Sequence, residues 1–266
     1  MISLVTLLRE ATSSPKAVIL AGAPGAGKSS IVGDIIAGLG LKVLNIDDHF
    51  IKNLKDANVS LDLKRADAEG RSKAAKAMQA AQKTYQDELT QEIENKGDVV
   101  IDGTAASFKK TKELKETLEG AGYDVFMVYV YSSLEKSLRK NEDRFERSKG
   151  EDRSLMPAIV MTTWANVTKN FEPYKDLFGG KFVATTKDKK LSDSQDLDDI
   201  ITKYLDPFKP TNTKPKTDKE IARSKARKEK ERVEIKDLMS KSNLDKVLPF
   251  IVSPEEAQQK LKQFLG

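Results

Sequence analysis

Nine consecutive residues, Gly22-Ala23-Pro24-Gly25-Ala26-Gly27-Lys28-Ser29-Ser30, fit the spacing G-x-x-x-x-G-K-[ST]. The residue types follow from what a phosphate requires. Glycines at 22, 25 and 27 let the backbone take positive φ and approach a ligand closely. Successive N–H groups then form an anion-binding nest, and a helix starting beyond it adds its unpaired N–H groups and the positive end of its dipole. The Lys28 ammonium can reach β- and γ-phosphates, and the Ser29 hydroxyl can ligate Mg²⁺. The apolar run Ala17–Ala21 before the loop and the apolar periodicity of Ile31, Val32, Ile35 and Ile36 after it supply the strand and helix that the motif needs. A glycine turn that merely joins strand to helix is the plainer alternative, and this flanking context argues against it.

Phosphoryl transfer also needs a carboxylate at the attacking hydroxyl and further positive charge at the transferred group. Asp47 and Asp48 follow a second predicted strand, Leu41–Ile46, and both can face a phosphate cleft. Asp47 also suits a helix N-cap, so Asp48 is the stronger functional candidate. Asp102 ends a third strand, where a carboxylate can hold Mg²⁺ through water. Thr104, two residues on, can hydrogen-bond a substrate. Arg153 lies in a charged loop able to fold over a γ-phosphate and match the charge of the transition state. Arg139, Arg144 and Arg147 sit on a helix with acidic neighbours and read as mostly solvated. His49 reads as a side chain beside the site rather than its base.

The elements that must position these groups alternate between strand and helix. After Met1–Arg9, a short helix with Leu4, Leu7 and Leu8 on one face, come strands near 17–21, 41–46, 98–101, 123–131 and 181–185. Helices are expected over 31–37, 61–95, 109–119, 134–147, 157–170 and 196–204, with turns over 172–180. That alternation predicts an α/β fold: a three-layer P-loop NTPase sandwich around a parallel sheet of about five strands, with a C-terminal helical appendage.

Composition narrows the function classes. The 266 residues contain no cysteine and one histidine, which excludes disulfides, thiolate metal sites and a cysteine nucleophile, and disfavours histidine base chemistry. No apolar run reaches membrane-spanning length and no signal-peptide pattern opens the chain, so a cytoplasmic protein with no membrane partner is expected. The net charge of +5 is uneven: Lys209–Arg232 carries +6, leaving the rest near neutral at −1. Prolines 207, 210 and 215 mark a boundary. Three units are therefore expected: a kinase domain over 1–207, a basic linker and charged helix over 208–240, and a short amphipathic segment over 241–266. Leu261, Phe264 and Leu265 of the last suit a partner's groove, and the basic stretch suits nucleic acid.

The motif series Gly22–Ser29, Ile46-Asp47-Asp48-His49-Phe50 and Val99-Val100-Ile101-Asp102-Gly103-Thr104 resembles the zeta-toxin-type P-loop kinases. Ser137–Asn141, Arg153–Pro157 and Trp164–Val167 are similar to phage and bacterial members of that group, so the resemblance spans roughly 17–185. It implies ATP and Mg²⁺ as cofactors and Asp48 as the carboxylate that activates the attacking hydroxyl. It also implies Lys28 and Arg153 as the γ-phosphate clamp, Ser29 as metal ligand, and Asp102 and Thr104 in the acceptor pocket. Asp102 stands where the family usually has glutamate, one methylene longer. The implied acceptor is a UDP-N-acetyl sugar. Polynucleotide 5′-kinases share the lysine-to-aspartate layout but typically carry arginine just after the aspartate motif, where this chain has Ile51 and Lys52. A nucleotide-binding docking protein of phage type, using its tail to hold a partner, is the reading from a different class.

Overall fold

The computed structural model describes residues 14–188, 197–205, 222, 226, 229–230, 232–238 and 244–266. The expected helix over Met1–Arg9 and the boundary near Pro207 lie outside them, as does most of the basic stretch.

The run Ala17–Ala21 is apolar at every position, and β1 (Lys16–Ala21) is accordingly buried on both faces. It forms the centre of a six-stranded sheet with β2 (Lys42–Asn45), β3 (Val99–Asp102), β4 (Asp124–Tyr131), β5 (Phe182–Thr186) and β6 (Ile251–Val252). The order is β2-β3-β1-β4-β5-β6, with every pairing parallel. Register sets Leu20 beside Asp102 and Val128, and Asn45 beside Asp102. The carboxyl ends of β1, β2 and β3 therefore emerge level with one another. After β1 the chain runs to β2 at the sheet's edge, returns to β3 beside β1 and then crosses to β4 on the other side, and this reversal opens a crevice at the carboxyl ends of the strands.

Side-chain alternation along β1 divides the core into two. Ala17, Ile19 and Ala21 join the larger cluster with Leu89, Leu118, Met161 and Trp164. Val18 and Leu20 join a smaller one with Ile31, Val32, Ile35 and Ile36 of α1 (Ser29–Leu39). The larger face is covered by α3 (Ala68–Asn95), α4 (Phe108–Gly120), α5 (Leu134–Arg147), α6 (Pro157–Lys169), α7 (Phe171–Phe178) and α8 (Leu197–Leu205). A satellite cluster packs α2 (Ile46–Asp56) on α3 through Phe50, Leu54, Ala77 and Ala81. Trp164 is buried in the larger core, its Nε1 donating to the Ser132 carbonyl at 2.7 Å.

Three expectations are corrected. The stretch read as turns over 172–180 is mostly helix α7, because Pro173 falls in its first turn, where a missing N–H costs nothing. Strand β2 stops at Asn45, and Ile46 already belongs to α2. The segment 241–266 does not stand apart to offer its apolar residues to a partner. Its Ile251–Val252 adds the sixth strand beside β5, and α9 (Pro254–Leu265) covers the smaller core. Leu261 is 1% exposed there and Phe264 stacks on Phe126 at 4.9 Å. A single apolar stripe suffices because the sheet supplies the other surface. The 232–238 helical stretch likewise buries Ile235 in the larger core.

Candidate active site

The glycine loop has the backbone that its sequence requires. Gly22, Gly25 and Gly27 take φ of 153°, 78° and 91°. A Cβ on Gly22 would lie 2.6 Å from the Val130 carbonyl oxygen, and one on Gly25 would lie 3.1 Å from the Lys140 Cβ. The loop is tied to the next strand end by Gly22 N–H donating to the Thr104 carbonyl at 3.1 Å. Lys28 arches back so that Nζ donates to the Gly22 carbonyl at 3.3 Å. Desolvation in the cleft pushes its ammonium below the ordinary lysine range, against the pull of Asp102 and Asp47 and with the help of Arg144 and Arg153.

Opposite stands Asn45, which ends β2 and caps α2. Its Oδ1 accepts from Asp47 N–H at 2.9 Å, and its Nδ2 donates to Asp102 Oδ2 at 3.4 Å. One side chain thus sets both the start of the helix and the Asp102 carboxylate. Burial raises the Asp102 pKa; Lys28 offsets part of that rise, while Asp47 and Asp48 add to it.

The cap of α2 is Asn45, so Asp47 is free of that role and lies in the helix's first turn. It lines the cleft, and Arg153 Nη2 donates to its Oδ1. Asp48, one residue on, is exposed and is not among the residues lining that cleft. Partial burial and the neighbouring Asp47 raise its pKa. Of these two carboxylates, Asp47 is the one that lines the cleft. His49 turns away to meet Glu88 of α3 at 3.1 Å.

Arg153 is 5% exposed, and its Nε and Nη1 have no hydrogen-bond partner among the described residues. Its guanidinium lies 5.5 Å from the Phe50 ring centroid. The loop that carries it is strapped to the chain between α2 and α3. Ser154 N–H donates to the Leu61 carbonyl at 3.0 Å, and Ser154 Oγ donates to Asp62 Oδ1 at 2.7 Å.

The cleft encloses about 690 Å³ and brings together Lys28, Ser29, Asp47, Asp102, Thr104 and Arg153. Of the three helix arginines, Arg144 and Arg147 reach it and the exposed Arg139 does not; Arg144 Nε also donates to Asp152. Sequence reasoning missed Lys140, which packs on Gly25 and lines the same wall. The signal was present: 140, 144 and 147 fall at i, i+4 and i+7, one face of a helix. Burial, then Lys136, lowers the Lys140 pKa.

Among the described residues no group of three or more His, Cys, Asp or Glu side chains could hold a metal. Mg²⁺ does not need one, since it keeps most of its waters and takes one or two protein oxygens beside the phosphates. Ser29 and Asp102 offer such oxygens on one cleft. No helix among the described residues is long and apolar enough to cross a membrane.

A family model described as zeta toxin matches residues 5–192, more than half of the chain. No curated protein matches. Among solved structures, the native AvrRxo1-ORF1:-ORF2 complex is similar at a TM-score of 0.50 and 16% identity, covering 97% of this chain and 77% of that one. The same complex with sulphate ions scores 0.50 at 14% identity, covering 97% and 78%. The PezAT chromosomal toxin-antitoxin system of Streptococcus pneumoniae gives 0.48 at 16% identity, covering 87% and 94%.

Proposed function

The chain belongs to the zeta toxin family of P-loop kinases, and from that premise we propose that it transfers the γ-phosphoryl group of ATP to a hydroxyl of a small molecule, with a UDP-N-acetyl sugar as the first acceptor to test. The observation that carries the reading is Arg153. A buried guanidinium with two nitrogens unpartnered among the described residues leaves about 1–3 kcal/mol of hydrogen bonding unmade per nitrogen. A phosphoryl group between Arg153 and Lys28 supplies the missing acceptors.

In this reading the loop N–H groups and Lys28 hold the β- and γ-phosphates. Arg153 shifts from Asp47 to the γ-phosphoryl oxygens and balances the charge they carry in the transition state. Asp47, released from Arg153, accepts the hydrogen of the attacking hydroxyl and takes its proton as the new oxygen–phosphorus bond forms and the bond from the γ-phosphorus to the bridging oxygen breaks, with ADP as the leaving group. Thr104 orients the acceptor. Ser29 and Asp102 would hold Mg²⁺, which neutralises phosphate charge when bound. Asp48, the carboxylate to which the family resemblance gave this role, is the alternative base. The pair of substitutions Asp47→Asn and Asp48→Asn separates them: the true base loses kcat by about 10²–10⁴-fold with ATP affinity spared. Solved neighbours of this fold include a two-protein complex and a toxin-antitoxin system, which supports a protein partner for this chain as well.

The test is incubation with γ-labelled ATP and Mg²⁺ alongside UDP-N-acetyl sugars, free N-acetyl sugars and 5′-hydroxyl oligonucleotides. Label in a sugar nucleotide that disappears in Lys28→Ala supports the proposal. Label confined to oligonucleotide ends makes it a polynucleotide kinase instead. Tight ATP binding without transfer to any acceptor favours the docking protein.

A further inference from the structure

Helix α1 starts inside the phosphate loop, so the position of its first turn sets where Lys28 and Ser29 stand. Lys28 occupies the cap position and its side chain makes no capping bond. The turn is held from its carbonyl side instead, by donors from far along the chain. Gln258 Nε2 of α9 donates to the Ile31 carbonyl at 2.6 Å, and Lys187 Nζ, just beyond β5, donates to the Ser30 carbonyl at 2.7 Å. A helical carbonyl can take such a second donor because it has two lone pairs. The apolar side of the same turn is fixed as well. Ile31 and Val32, each 1% exposed, share the smaller core with Ala257 and Leu261 of α9. Helix α9 is anchored in turn. The strand before it pairs with β5, Thr185 Oγ1 donates to the Val252 carbonyl at 2.9 Å, and Lys16 Nζ lies 4.9 Å from the Phe264 ring centroid. Gln258 and the rest of α9 lie beyond residue 192, where the zeta toxin match ends.

We propose that Gln258 is a positioning residue for nucleotide binding: through the Ile31 carbonyl it holds the first turn of α1, and with it Lys28 and Ser29, where a triphosphate requires them. The inference rests on the kinase reading of the loop and adds to it a residue outside the cleft lining. Burial of Leu261 and the Phe264 stack would seat α9 without any polar contact to α1. A half-buried amide that donates to a carbonyl of the phosphate-binding turn does what packing does not, because a hydrogen bond weakens steeply with misalignment and so fixes direction. The bond joins two elements, so its effect is reciprocal: a seated α9 favours an occupied loop, and nucleotide in the loop favours a seated α9. Lys187 acts on the neighbouring carbonyl, but its charge also bears on Lys140 and on any phosphate nearby. Gln258 is uncharged and isolates the positioning effect.

The test uses the full chain and the non-hydrolysable analogue AMP-PNP with Mg²⁺. Gln258→Met keeps the length and neutrality of the side chain and removes the donor. It should weaken AMP-PNP in calorimetric titration by about three- to tenfold, the worth of one hydrogen bond. Gln259→Met, the same change on the exposed neighbour in α9, should leave the affinity unchanged. Amide exchange supplies the reciprocal measurement. AMP-PNP should slow exchange over residues 254–266 of the unaltered chain, and by less in Gln258→Met. The measurement on the unaltered chain does not depend on how well the variant folds. Full AMP-PNP affinity in Gln258→Met, whatever its melting temperature, would make the contact purely structural and overturn the proposal. Exchange over 254–266 that ignores AMP-PNP in the unaltered chain, or slows equally in both proteins, would overturn it as well. The kinase reading stands in each of these cases. Failure of AMP-PNP to bind the unaltered chain would remove the kinase reading, and the role of Gln258 with it.

Discussion

In the proposed reaction the chemistry turns on the contact between Arg153 and Asp47. The carboxylate satisfies one edge of the guanidinium and leaves Nε and Nη1 open. Removing Arg153 therefore has two opposite effects. It deletes a desolvated cation with unmade hydrogen bonds, and it deletes the partner of Asp47 and the clamp on the γ-phosphoryl group. Arg153→Lys is expected to lower kcat by about 10²–10³-fold with a smaller change in ATP affinity, because an ammonium cannot make the forked contact of a guanidinium; steady-state kinetics with the identified acceptor checks it.

Lys28 gives a pH prediction. Its folded-state pKa lies below the ordinary lysine value of about 10.4. The clamp requires the protonated form, so ATP affinity is full well below that pKa and is lost as pH rises through it. Calorimetric titration between pH 7 and 10 should show affinity falling before an ordinary lysine would deprotonate. Affinity flat to pH 10 would show that Lys28 keeps an ordinary pKa. Gly22 carries the sharpest steric prediction. Gly22→Ala sets a methyl against the Val130 carbonyl at 2.6 Å, with backbone rather than a flexible side chain in the way. Loss of ATP binding together with a lowered melting temperature is expected.

Two elements act on the site from outside it. The strap between Ser154 and the Leu61–Asp62 turn ties the arginine loop to the α2–α3 connection. Ser154 is fully buried, so Ser154→Ala leaves Asp62 without its hydroxyl partner and costs about 1–3 kcal/mol. Because the strap also sets how far Arg153 stands from Asp47, kcat should fall further than stability alone explains. A variant with lowered melting temperature and unchanged kcat would make the strap purely structural. On the opposite face of the sheet, α9 covers the smaller core. Leu261→Ala is expected to cost about 2–5 kcal/mol, since Val18, Leu20 and Ile31 of the P-loop strand and helix belong to the same cluster. Denaturant unfolding measures it, and a value near zero would restore the tail to the independent element its sequence suggested.

At the scale of the molecule, most of the architecture is local in origin and could be read from the chain. The alternation of apolar runs with amphipathic stretches dictates parallel strands under helices, because such strands must be covered on both faces. The glycine loop could be read most completely. Its function depends on backbone conformation within nine residues, and glycine spacing encodes that directly. Helix α5 spans the 134–147 expected from its sequence, and the structure adds Ser133 as its cap. What the sequence left open depended on contacts between distant segments. Adjacent residues on a helix point about 100° apart, so whether Asp47 or Asp48 lines the cleft turns on where β2 ends and α2 begins. Asn45 decides that through its bonds to Asp47 and, across the sheet, to Asp102. The position of Lys140 over Gly25 likewise follows from how α5 packs beside the loop. The sixth strand depends on Ile251–Val252 finding β5, more than sixty residues earlier, and two residues carry too little pattern to announce a strand. The sequence by itself thus determined the chemistry of the phosphate end, whose geometry is encoded locally. Only the tertiary structure decided which carboxylate meets Arg153, that Lys140 lines the cleft and where the C-terminal segment rests, because each of those is a choice of partner made across the fold.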